Sequence, residues 1–136
     1  MAASIVVDAG FVTALLSRRD TNHGWARGQA SRLALPWMTC DAALAEAFHL
    51  LGPGGGPALT TLLRRGAVVP AFVLGPEMES ILRLMTKYSD QPMSLADACL
   101  VRMTEILPSP LLVTTDTDFR VYRRHGRQAI PCLLPG

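Results

Sequence analysis

The sequence predicts an α/β protein with a mostly parallel sheet covered by helices on both faces. Short apolar runs, Ser4–Val7 and residues 111–115 foremost, have the length and branched content of buried strands. Stretches of helical periodicity separate them. A helix between two strands returns the chain to the edge it left, which sets the strands parallel. A chain of 136 residues can bury one core, so residues 1–136 read as a single domain. The chain is 49% hydrophobic and has no repeat or low-complexity stretch, so it is globular rather than disordered.

In chain order, residues 4–7 form a strand that Asp8 ends, Gly10 allows a tight turn, and residues 11–16 begin a helix. Asp20, Thr21 and Asn22 offer caps for a second helical piece over about 23–32, anchored by Trp25. Residues 35–40 are a second strand, with Pro36 near its start where a missing amide does least harm. Residues 41–51 are helical, with Leu44, Phe48 and Leu51 at the spacing of a core face. The glycine-rich residues 52–57 follow a helix and lack a Lys-Ser/Thr ending, so they read as a linker and not a phosphate loop. A helix over 58–65 closes at Gly66. An edge strand over 68–74 is weakened by Pro70, and an amphipathic helix covers 76–88. Ser94 caps a helix that is apolar on nearly every side through Met103, the pattern of a buried helix. After the stiff turn Pro108-Ser109-Pro110 comes the clearest strand, 111–115, then Asp116 to Phe119, an Arg-rich helical turn, and a last strand over about 128–134.

No apolar run approaches the ~18 residues a membrane span needs. The N-terminus lacks a basic start and meets Asp8 too soon for a signal peptide, so the expected location is cytoplasmic. Cys40, Cys99 and Cys132 are odd in number and widely spaced among apolar neighbours, as reduced core thiols are. The net charge is +2, and all cations but Lys87 are arginines. Arg120, Arg123, Arg124, His125 and Arg127 fall within eight residues, and Arg18-Arg19 and Arg64-Arg65 are doublets. A solvated face explains any one of these. A phosphate-binding surface explains them together if the fold brings them to one side.

The acids carry the chemistry. In an open parallel sheet the functional crevice lies beyond the carboxyl ends of the strands, where Asp8 and Asp116 both emerge. Asp97 has two readings. With Ser94 it forms a Ser-x-x-Asp capping box; alternatively it joins the other acids, depending on which strand its helix accompanies. Glu46 is the one charged side chain between Asp41 and Arg64, on an alanine-lined side, and suits either a surface or a crevice. Asp118 is a further candidate. Two like charges 4 Å apart repel by roughly 4 kcal/mol at an effective dielectric of 20, so crowded carboxylates hold protons or share a cation. An all-oxygen set favours Mg²⁺ or Mn²⁺, which beside arginines can promote phosphodiester hydrolysis.

Four stretches in order, Val6-Val7-Asp8-Ala9-Gly10, Leu44-Ala45-Glu46-Ala47, Met93-Ser94-Leu95-Ala96-Asp97-Ala98 and Val113 to Phe119, resemble the PIN domains of VapC-type toxin ribonucleases. The resemblance implies a three-layer α/β/α fold and an RNA endonuclease with Asp8, Glu46, Asp97 and Asp116 as the acidic site for Mg²⁺ or Mn²⁺. It also implies a homodimer and inhibition by a small antitoxin. Arg120, Arg123 and Arg124 are then the candidate RNA contacts. Two departures bear on metal affinity: Ala9 stands where many members carry Thr or Ser, with Thr13 a weak substitute, and Ser94 where many carry an acid. An aspartyl-phosphate chemistry on Asp116-x-Asp118 ranks low, because its nucleophile would come early and Lys87 is the one lysine. A PIN-like module that binds RNA without cutting it is the alternative.

Overall fold

The computed structural model describes residues 2–136. Five strands form one parallel sheet: β1 (Ser4–Val7), β2 (Trp37–Thr39), β3 (Val68–Pro70), β4 (Pro110–Val113) and, after a small hairpin, β7 (Cys132–Leu133). Their spatial order is β3-β2-β1-β4-β7, and all four neighbouring pairs are parallel. The chain therefore builds outward from β1 to β3, crosses back, and continues on the other side through β4. That reversal makes a switch point between β1 and β4, where such sheets open a crevice at their carboxyl edge.

Side chains alternate across the sheet, and each face has its own core. Val6 and Leu112 point to one face, under α4 (Met78–Lys87) and α5 (Leu95–Ile106). Ile5, Val7 and Val113 point to the other, under α1 (Ala9–Leu16), α2 (His23–Ala30) and most of α3 (Asp41–Arg64). This is the expected three-layer arrangement. Period two in the strands produces it directly.

The differences from the sequence reading are local. Gly10 is not in a turn but inside α1. A Cβ there would stand 2.4 Å from Thr115 Oγ1, so the glycine permits close approach of α1 to the end of β4. Residues 52–57 are not a linker: the helical ladder of α3 breaks only at Gly52, which has φ 63°, and resumes at Pro53. Pro53 fits the first position of a helix because its missing amide has no partner there anyway. The face of α3 in the core is Ala43 and Ala47 with Leu44 and Leu51 behind, and Phe48 is 37% exposed. The small alanines let the helix lie close to its neighbours, turning the bulkier Phe48 outward. Trp25 is half-buried, edge-on to Phe11, while Ala26 is the fully buried residue of α2. The Arg-rich segment is not a helical turn. A 3-10 turn over Thr117–Arg120 leads into a hairpin of β5 (Arg123–Arg124) and β6 (Gln128–Ala129), turned by His125 and Gly126 at positive φ. The expected last strand is thus two strands, of which only β7 joins the main sheet.

Candidate active site

Asp8 sits one residue past β1 and caps α1: its Oδ1 accepts the Phe11 amide at 2.9 Å. Its Oδ2 accepts the hydroxyl of Thr114, which in turn accepts the Asp116 amide at 2.9 Å. The ends of β1 and β4, neighbours in the sheet, are thereby tied through one threonine. Asp116 Oδ1 then accepts the Asp118 amide and starts the 3-10 turn. On α5 both capping-box bonds are present: Asp97 donates its amide to Ser94 Oγ at 3.0 Å, and Asp97 Oδ2 accepts the Ser94 amide at 3.1 Å. The same Oδ2 faces the hydroxyl of Tyr122 at 3.4 Å. Tyr122 is fully buried, edge-on to Tyr88 and Phe119, and so carries the hairpin against the start of α5.

These segments enclose a cleft of about 180 Å³ lined by Asp8, Glu46, Asp97 and Asp116, with Gly10 and Thr115 between them. All four acids singled out in the sequence are brought together. Asp97 is both cap and cleft wall, so its two readings hold at once. Glu46 is exposed yet lines the same cleft, at its mouth. Asp118 does not line the cleft; its amide serves Asp116 and its charge acts on the Tyr122 hydroxyl.

The electrostatics are those of a crowded anionic site. Burial pushes Asp8 up from 3.8 to about 6, against the lowering effect of its bonds to Thr114 and Phe11, and the charges of Asp116 and Asp97 add to the rise. Asp97 is also raised, by burial first and then by Asp116 and Glu46. A cation in the cleft would relieve both. Carboxylates and threonine hydroxyls are hard oxygen donors, which suits Mg²⁺ or Mn²⁺ in chemistry. Among the described residues, though, no three His, Cys, Asp or Glu side chains are drawn together closely enough to hold an ion. The donor set fits the ion in its chemistry.

Two residues that periodicity and composition do not flag stand beside the acids. Thr114 orders Asp8, and Tyr122 faces Asp97. The signal for Thr114 was its place beside Asp116 at a strand end; nothing marked Tyr122. The Thr13 hydroxyl is buried without a hydrogen-bond partner and does not line the cleft; the hydroxyl that meets Asp8 is that of Thr114, just past β4.

The arginines separate into groups. α1 and α3 begin at the carboxyl edge and run back, so Arg18-Arg19 lies just past the far end of α1 and Arg64-Arg65 at the far end of α3, away from the acids. Only the Arg120–Arg127 cluster follows the carboxyl end of β4. Within it Arg124 is engaged structurally, its Nη2 donating to the Thr104 carbonyl and its Nη1 to Gln128. Arg124→Ala should therefore lower stability by roughly 1–2 kcal/mol in denaturant melts, whereas Arg120→Ala, at an exposed position, should stay within about 0.5 kcal/mol of the parent.

A profile of the PIN domain family matches residues 5–124, the span from β1 through β5. The chain belongs to the PIN domain family. PIN domains are typically metal-dependent nucleases, and the four acids lie where this fold opens its crevice. Among solved structures, VapC20 of Mycobacterium tuberculosis, described as a sarcin-ricin loop cleaving toxin, superposes with a TM-score of 0.78 at 23% identity, over 87% of this chain and 94% of that one. At that identity the likeness speaks for the PIN fold alone. No curated protein sequence matches the chain. Among the described residues no helix is long and apolar enough to cross a membrane.

Proposed function

We propose that this PIN domain is a metal-dependent endoribonuclease that hydrolyses RNA phosphodiester bonds and acts as the toxin of a type II toxin–antitoxin pair. One observation carries the reading: Asp8, Glu46, Asp97 and Asp116, from four separate segments, line a single cleft at the switch point of the sheet. Mg²⁺ or Mn²⁺ would be held by these four carboxylates, and when bound would polarise the phosphodiester and activate a water for in-line attack. The chain's own contributions are positional. Thr114 and the Phe11 amide fix both oxygens of Asp8, and the capping box and Tyr122 fix Asp97. Glu46, exposed at the mouth, would reach in toward the cation, and Arg120 would hold the RNA backbone beside it.

The purified protein should cut labelled RNA in Mg²⁺ or Mn²⁺ and stop in excess chelator, leaving 5′-phosphate and 3′-hydroxyl ends because water is the nucleophile. Cleavage indifferent to chelator, or cyclic phosphate ends, would overturn the metal reading. Arg120→Ala should weaken binding equally for unrelated RNAs and reduce the salt slope by up to about 0.7. Induced expression should arrest growth, and co-expression of a small antitoxin should restore it; the homodimer belongs to the same reading. Ala9, which offers no hydroxyl beside Asp8, favours a second reading, a PIN domain that binds RNA without cutting it. RNA retained on the protein without product at any metal concentration would decide for that.

A further inference from the structure

A second concavity lies beside the acidic cleft, on the β7 side of β4. It holds about 430 Å³ and is walled by Phe119, Arg120, Arg123, Ile130, Leu133 and Leu134. That volume falls in the ~300–1,000 Å³ range of small-ligand sites. The sheet register fixes its distance from the acids. Val7 pairs with Val113 and Val113 with Leu133, so Asp8, Thr114 and Leu134 follow in one row across β1, β4 and β7. At roughly 4.8 Å per strand, the floor of the groove lies about 10 Å from Asp8 along the same edge. Cys132, on that floor, responds to charge on both sides: burial pushes its thiol up to about 11, with Asp8 raising it and Arg120 lowering it.

The composition of the groove is that of a base site and not only a phosphate site. Leucine and isoleucine supply an apolar floor. Arg123 is half-buried, and its Nη1 donates to the Arg120 carbonyl at 2.7 Å and to the Tyr122 carbonyl at 3.2 Å. Two backbone acceptors on one nitrogen hold the guanidinium plane in place, so little side-chain entropy remains to be lost when a ligand stacks on it. Single-stranded RNA is recognised by unstacked bases laid on aromatic or guanidinium planes.

We infer, on the ribonuclease reading above, that this groove takes one unstacked base of the RNA strand whose phosphodiester lies in the acidic cleft, with Arg123 as the stacking plane and Arg120 on the adjoining phosphate. One nucleotide at a fixed offset from the cut is then read by its base, and the others by their backbone.

The test is an abasic walk. A short oligoribonucleotide that the protein cleaves is remade with a single abasic residue at each position flanking the cut, and kcat/KM is measured in Mg²⁺. At one position the value should fall roughly fivefold to a hundredfold, the range of a single stacked base, and elsewhere much less. Arg123→Lys keeps the charge and removes the plane, so the intact-to-abasic ratio at that position should drop to about one while the salt slope persists. Leu134→Asp, which charges the floor, should collapse the same ratio, and it serves if Arg123→Lys does not fold. An equal penalty at every position, or a ratio unchanged in the variants, overturns the base site and leaves the nuclease standing. If the unmodified protein cuts no RNA at all, the ribonuclease reading fails and the base site with it.

Discussion

Asp8→Asn is expected to melt at a higher temperature than the parent at pH 7 in chelator, and to lose both RNA cleavage and stabilisation by Mg²⁺. The sign follows from the carboxyl's environment. Asp8 is pushed up from 3.8 to about 6, chiefly by burial, with Asp116 and Asp97 adding to it. The folded state therefore holds the proton more tightly than the unfolded chain. The contribution of Asp8 is most favourable below about pH 4, declines as pH rises between about 4 and 6, and stays low above that. A rise of about two units corresponds to roughly 3 kcal/mol. Asparagine removes the charge and still accepts the Phe11 amide, but Thr114 must reorient its hydroxyl. The net gain at pH 7 should be roughly 1–2 kcal/mol, or about 3–8 °C, shrinking toward zero at pH 4. Metal at a hundredfold excess over its Kd should add ~2.7 kcal/mol to the parent and little to the variant. Melts at pH 4, 5.5 and 7, with and without Mg²⁺, measure all of this. A variant less stable than the parent at pH 7, with the Mg²⁺ gain intact, would make Asp8 a cap of α1 and nothing more.

Asp8 and Asp116 were legible in the sequence because a parallel sheet sends every strand end to one edge, and both follow apolar runs directly. Asp97 was legible as a cap and as a candidate for the acidic site, without a way to decide between the two from its own stretch. Its approach to the others depends on the strand order β3-β2-β1-β4-β7, which places α5 beside the switch point, and strand order is not encoded in local periodicity. Glu46 stood out by its isolation on an alanine-lined helix, and those alanines are what pack α3 closely enough for it to reach the cleft. The roles of Gly10 and Thr115 could not be read, because a close approach between two segments a hundred residues apart leaves no mark on either. Tyr122 was hidden for the same reason. The arginine cluster misled as a helix because Arg, Tyr and Val fit a helical turn locally. The positive φ at His125 and Gly126 closes a hairpin instead, and Arg124 is drawn onto the end of α5.

Asp97→Ala and Ser94→Ala should separate structure from chemistry at the start of α5. Each substitution removes one bond of the reciprocal pair, worth about 1 kcal/mol as a cap: Asp97→Ala the carboxylate that accepts the Ser94 amide, Ser94→Ala the hydroxyl that accepts the Asp97 amide. Were capping the sole role, Asp97→Ala should cost at least as much as Ser94→Ala, since it also removes the partner of Tyr122. In a crowded anionic cleft the order reverses. Burial and the charges of Asp116 and Glu46 hold the Asp97 carboxyl above its usual range, so removing it relieves an unfavourable charge at neutral pH. Asp97→Ala should then be the less destabilised of the two in chelator. Its cleavage rate should fall by roughly a hundredfold or more, the scale on which a charge-stabilising group acts on the transition state. Ser94→Ala keeps the carboxylate and should keep its stabilisation by Mg²⁺, while Asp97→Ala should lose it. Paired melts and single-turnover cleavage read both quantities. Equal stability losses, with Mg²⁺ stabilising both variants alike, would reduce Asp97 to a helix cap and leave Asp8, Glu46 and Asp116 as the acids of the cleft.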